Sequence, residues 1–126
     1  MIPGEKLPVT YTIDPKLRLV ITLASDPATE KDVLEHDEKL RSDPNFDPSF
    51  RQLAEFSEVS EILVSSNLIK RTAQDQFFTP GVRRAFIANA GAVFGMARMY
   101  ALHAESLGQV IEVFRDRGSA EAWLGL

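Results

Sequence analysis

Two adjacent serines, Ser65 and Ser66, followed by Asn67, stand in the stretch EILVSSNLIKR, ahead of apolar residues at helical spacing. Hydroxyl and amide side chains at such a position have two uses. One is to accept a backbone N–H at the helix start, where four donors lack intrahelical partners. The other is to carry a phosphate, which the helix dipole favours and which sets a charge where a partner protein can read it. Ser65, Ser66 and Asn67 are therefore candidates for phosphorylation or protein contact, with a plain helix cap as the competing use.

A second set lies in residues 91–107. Val93, Ala97, Tyr100, Ala104 and Leu107 make one stripe, and Ala92, Met96, Met99 and His103 make another at i, i+4, i+7 and i+11. A helix apolar on two faces is buried on both, or holds a partner or ligand on one, and methionine adapts well to such surfaces. Phe94, Met96, Met99, Tyr100 and His103 thus form the candidate surface for a small apolar or lipid-like molecule, or for a second copy of the chain. The competing use is burial of the second stripe under a neighbouring helix or loop.

Arg115 and Arg117 follow the last apolar run. Loops after the carboxyl ends of parallel strands commonly bind ligands, which makes this pair a candidate anion contact, with surface ion pairing as the alternative. Arg83 and Arg84 form another basic pair just after Gly81. Metal chemistry has little to work with: His36 and His103 are the two histidines and cysteine is absent, too few first-choice ligands for a transition metal. Ser65 as nucleophile with His103 as base lacks the Gly-x-Ser-x-Gly elbow. No glycine-rich phosphate loop occurs, and the glycines of GAVFGMAR are wrongly spaced for one. A non-enzymatic protein without metal or cofactor is expected.

The elements that must position these residues follow from periodicity and punctuation. LPVTYTI alternates as a half-buried strand, Asp14-Pro15 starts a turn, and LRLVITLA returns as a second strand, so the chain opens with a hairpin. Thr29 and Asp32 stand in capping-box spacing ahead of a mostly solvated helix whose carboxylates are spread among basic residues. DPNFDPSF repeats Asp-Pro-x-Phe, with prolines to block helix and Phe46 and Phe50 to pin the loop. A strand centred on residues 53–56 follows, then a helix with Leu68, Ile69, Ala73 and Phe77 at helical spacing, ended by Thr79-Pro80-Gly81. RRAFIANA reads as a strand buried on both faces at residues 85–88, and the two-striped helix is closed by Gly108. QVIEVF is the last strand, and a short helix with Ser119 at its cap ends the order ββαβαβαβα. Repeated strand–helix units with short connections predict an α/β fold, a mixed but mainly parallel sheet of about five strands with about four helices.

At 126 residues the chain fits one domain spanning 1–126. Its 44% hydrophobic and 25% charged residues are ordinary for a globular protein. A net charge of −4 opposes nucleic-acid and anionic-lipid binding. The absence of cysteine permits a reducing cytoplasm. Pro3, Gly4 and Glu5 interrupt what a signal peptide would need, and AGAVFGMARMYALHA holds Arg98 and His103 and is shorter than a bilayer span, so no membrane insertion is expected.

The element order, and AEFSEVSEILVSSNLIKRTA in particular, resembles the STAS domain family, in which a strand and loop lead into a helix and a kinase modifies a serine next to an aspartate. Ser57, Glu58, Val59 and Ser60 match one part of that pattern, and Ser65, Ser66, Asn67 and Leu68 another, with Val64 where the family has aspartate and Asn67 where it has glycine. RRAFIA, AVFGMARMY and VFRDRGSAEAWLGL resemble a SpoIIAA-like subgroup, also described as STAS/SEC14-like, of largely unassigned activity. The resemblance implies a bacterial, cytoplasmic, non-enzymatic module that acts through protein contacts at Ser65 and Ser66. The alternatives are a carrier or sensor of a small apolar ligand, and a structural homodimer built on Met96 and Met99.

Overall fold

The computed structural model describes residues 7–61 and 63–126. The reading of Pro3, Gly4 and Glu5 lies outside the described residues. Strands β1 (Val9–Asp14) and β2 (Leu19–Ser25) form the expected antiparallel hairpin, with Asp14 paired to Leu19. Its turn is built by Asp14, whose Oδ1 accepts the N–H groups of Lys16 and Leu17.

Helix α1 (Glu30–Ser42) leads to β3 (Arg51–Glu58), α2 (Ser66–Gln74) to β4 (Arg83–Ile87), and α3 (Gly91–Glu105) to β5 (Val110–Phe114); α4 (Arg117–Leu124) follows. The order is ββαβαβαβα, and the sheet runs β1-β2-β3-β4-β5 with every pair after the hairpin parallel. Because the strand order never reverses, right-handed crossovers carry α1, α2 and α3 onto the same face. The opposite face is left to α4, where Ala120 and Leu124 cover Leu19, Leu53, Ala85 and Ile87.

Alternation along the strands then decides which residues see which layer. Leu53, Ala85 and Ile87 face α4, while Ala54, Phe56 and Phe86 face the three-helix layer. Residues 85–88 are buried throughout, as a strand covered on both faces requires.

Capping accounts for the helix starts. The Thr29–Asp32 box closes on α1 in both directions, and the two Asp-Pro turns of the next loop repeat one device: Asp43 accepts from the N–H of Asn45, Asp47 from that of Ser49. Phe46 and Phe50 pin this loop to Val20, Leu40 and Phe78. Tyr11 ties β1 to the end of α1 by donating to Asp43 at 2.7 Å, and burial together with that carboxylate pushes its pKa from 10.0 up to about 12.

Three local expectations are corrected. Helix α2 stops at Gln74, so Phe77 is not on its apolar stripe; it packs beside Phe78 and Phe46 instead, because an aromatic pair gains more by filling the core under the Asp-Pro loop than by extending a helix. The cap of α4 is Asp116 and not Ser119, since the aspartate lies one residue ahead of the helix and reaches the N–H of Ser119 at 2.8 Å. Helix α3 ends at Glu105, ahead of Gly108. Gly108 itself has φ +79° and lies 3.0 Å from the Pro80 ring as measured from a Cβ position, so both conformation and space call for glycine there.

Candidate functional site

Between the sheet and the three-helix layer lies a cavity of about 150 Å³. Its walls are mostly apolar: Ala24, Ala54 and Phe86 from the strands, Val33 from α1, Ile69 from α2, and Val93, Met96 and Ala97 from α3. Residues 59–64 contribute Val59, Glu61, Leu63 and Val64. Glu61 and Leu63 are exposed whereas Ala54 and Arg84 are buried, so the cavity runs from a mouth at this loop to a floor on the sheet.

The mouth is tied to the start of α1 by two carboxylates. Asp26 accepts the backbone N–H and the hydroxyl of Ser60, and Glu30 accepts the N–H of Ser65 at 3.0 Å. The Ser60 hydroxyl holds the Asp26 carboxyl below its ordinary 3.8, and the Ser65 N–H holds that of Glu30 below 4.5.

The floor is polar and buried. Thr22, Gln52 and Arg84 are each less than 5% exposed and His36 is 8% exposed, and all four line the cavity. Arginine can only donate, so its Nε–H fixes the orientation of the Gln52 amide, whose Oε1 accepts at 3.0 Å. Gln52 Nε2 must then donate to Thr22 Oγ1 at 3.1 Å, and the one hydroxyl hydrogen of Thr22 is free to donate to His36 Nε2 at 3.0 Å. His36 completes the chain by donating from Nδ1 to Asp37 Oδ1 at 2.9 Å. A chain of hydrogen bonds thus joins Arg84 to Asp37 through Gln52, Thr22 and His36; where Thr22 donates to Nε2, His36 carries its proton on Nδ1.

The residues singled out from sequence divide on this geometry. Met96 and Tyr100 line the cavity. Phe94 packs toward Val59 and Ala88 instead, with the Arg115 guanidinium 4.1 Å from its ring centre. Met99 and His103 are half-buried and outside the lining, Met99 a step around the helix and His103 nearly two turns beyond Met96. α2 packs along α3. Ser65 is the N-cap of α2, its Oγ accepting from the N–H of Leu68 at 3.1 Å, and Ser66 and Asn67 are exposed in the first turn. Arg117 is paired with Glu55 at 3.2 Å and Glu121 at 3.7 Å, and Arg115 donates to the Asn89 carbonyl. The consecutive strand order leaves these arginines without the strand-order reversal at which open parallel sheets bind ligands.

Gln52 and Thr22 were not singled out by sequence, Arg84 was noted only as half of a basic pair, and His36 only as one of two histidines. Two signals point to them in retrospect. Arg84 alternates with Phe86 on one face of β4, and His36 shares a helical stripe with Val33 and Leu40. Among the described residues no cluster of three His, Asp or Glu is placed to hold a metal ion, and no helix is long and apolar enough to cross a membrane. Neither a known protein family nor a curated protein matches the chain.

Proposed function

We propose that this chain is a non-enzymatic binding domain, a carrier or sensor that holds a small apolar molecule between its sheet and the α1–α2–α3 layer. The observation that carries this reading is the cavity of about 150 Å³ with apolar walls and a few polar groups gathered on its floor. Apolar walls around a few fixed polar groups are the general form of small-molecule sites. The element order and consecutive sheet support the resemblance to SpoIIAA-like STAS domains, which forms part of the proposal; the cytoplasm is its setting on that resemblance alone.

A second reading, contact with another protein at Ser65, Ser66 and Asn67, is favoured by one observation. The loop that lines the cavity mouth runs directly into the exposed first turn of α2. Occupancy of the cavity and recognition of that turn would then share one segment, as a sensor requires.

Native mass spectrometry of protein isolated without denaturation tests both readings. A noncovalent increment that disappears on denaturation, and is missing from an Ala97→Phe variant with unchanged circular dichroism, is the expected result. A phosphate-sized increment that maps to Ser65 or Ser66 favours the second reading. A bare mass, combined with failure to bind either 1-hexanol or hexanoate at millimolar concentration, would overturn the first.

A further inference from the structure

We infer that the cavity takes a molecule with an anionic head, a carboxylate joined to a short apolar body, and that Arg84 and Tyr100 receive that head. The inference rests on the cavity reading above and names the class of ligand.

Arg84 is 3% exposed and is held entirely by neutral acceptors. Its Nε donates to Gln52, its Nη1 to the Oε1 atoms of Gln76 at 2.6 Å and Gln109 at 2.8 Å, and its Nη2 to the Tyr100 hydroxyl at 3.3 Å. Aromatic rings cover its faces, that of Phe78 with its centre 4.2 Å away. No carboxylate lies within ion-pair distance among the described residues. The glutamines and rings solvate the charge without cancelling it, and a buried charge is costly until a counter-charge joins it.

Hydrogen counting locates where that counter-charge would sit. A guanidinium has five N–H groups, and the contacts above leave one on Nη2 without an acceptor among the described residues. Gln76 must turn its Oε1 to Arg84, so its Nε2 donates to the Tyr100 hydroxyl at 2.8 Å. That oxygen therefore accepts from both Gln76 and Arg84, and its own hydrogen has no acceptor among the described residues. Two spare donors thus belong to two neighbouring residues that both line the cavity. A carboxylate has acceptor sites for both and forms charge-assisted bonds with arginine. Asp37 and Glu61 also line the cavity, but at the Arg84–Tyr100 end a ligand cation would be repelled, and a neutral alcohol would leave the charge unmatched. The cavity volume suits an apolar body of roughly six non-hydrogen atoms, the size of benzene.

The experiment is calorimetric titration at pH 7 with hexanoate, 1-hexanol and hexylammonium. Wild type is expected to bind hexanoate at least ~10-fold more tightly than 1-hexanol and to reject hexylammonium, the preference expected of one charge-assisted contact in a buried site. In Arg84→Met the hexanoate preference should vanish while hexanol binding persists, Arg84→Lys should retain part of it, and Tyr100→Phe should weaken hexanoate several-fold with hexanol unchanged. Equal binding of hexanoate and hexanol by wild type would overturn the anion assignment and leave the cavity reading standing. Binding of none of the three probes would overturn the cavity reading and this inference with it. Retention of the full preference in Arg84→Met would refute the role of Arg84; if that variant does not fold, the wild-type comparison and Tyr100→Phe decide.

Discussion

Replacing Thr22 with valine tests the hydrogen-bond chain with little disturbance of shape, because valine keeps the branched outline of threonine and only the hydroxyl is lost. Thr22 is 3% exposed, and its oxygen both accepts from Gln52 Nε2 and serves His36 Nε2. The substitution therefore orphans the Gln52 amide donor and the His36 ring nitrogen, on residues 4% and 8% exposed. At about 1–3 kcal/mol for each buried group left unsatisfied, the expected loss is about 3 kcal/mol. A domain of this size has a total stability of roughly 6–19 kcal/mol, so the loss is a large fraction of it, corresponding to a fall in Tm of roughly 10–15 °C. The assay is urea unfolding followed by fluorescence of the single tryptophan. Trp123 lies on α4, against the other face of the sheet, and so reports global unfolding. The two partners should also be coupled: Thr22→Val combined with His36→Leu is expected to cost about 1 kcal/mol less than the two separate losses added together, since the second change removes one of the orphans. A Thr22→Val protein within about 0.5 kcal/mol of wild type, the range of an ordinary surface change, would refute the chain.

Ser65→Ala should lower stability by about 1 kcal/mol in the same assay, the usual worth of an N-cap hydroxyl, while Ser65→Asn retains an acceptor for the N–H of Leu68 without adding a charge beside Glu30 and stays close to wild type; equal losses in the two variants would show that the cap bond is not the reason. The mouth of the cavity should loosen in acid. Asp26 and Glu30 have folded pKa values below their ordinary 3.8 and 4.5, so their contribution is complete above those values and is lost as pH falls below them through the lowered folded values. In an NMR titration the amide resonances of Ser60 and Ser65 should move with midpoints below 3.8 and 4.5 respectively; midpoints at or above those figures would contradict the hydrogen bonds.

Local rules written into the sequence determined most of the architecture. The alternation of Val9, Tyr11 and Ile13, the Asp14-Pro15 turn, the Thr29–Asp32 box and the serine ahead of Leu68 each act over a few residues, and each is found as expected. Successive strand–helix units with short links then leave few topologies open, and a mainly parallel sheet was legible for that reason. The boundaries that failed are those where tertiary packing competes with local preference: Phe77 leaves the helical pattern for the aromatic cluster around Phe46, and the cap role passes from Ser119 to Asp116.

The site itself was only half legible. Met96 and Tyr100 could be chosen because a doubly apolar helix implies something on its second face, but the sequence could not say where along the helix that face opens. It also could not distinguish Arg84 from its neighbour Arg83. Only the strand register puts Arg83 on the exposed side, over Trp123, and Arg84 opposite Gln52 and inside the three-helix layer. The same holds for Thr22, Gln52 and His36, which are separated by up to 30 residues and meet because β2, β3 and α1 stack there. Turns, caps and periodicity are fixed by near neighbours, so a sequence determines them by itself. Which polar groups are buried together depends on contacts between distant segments, and only the tertiary structure decided that Arg84, with no ion-pair partner among the described residues, lines a largely apolar cavity.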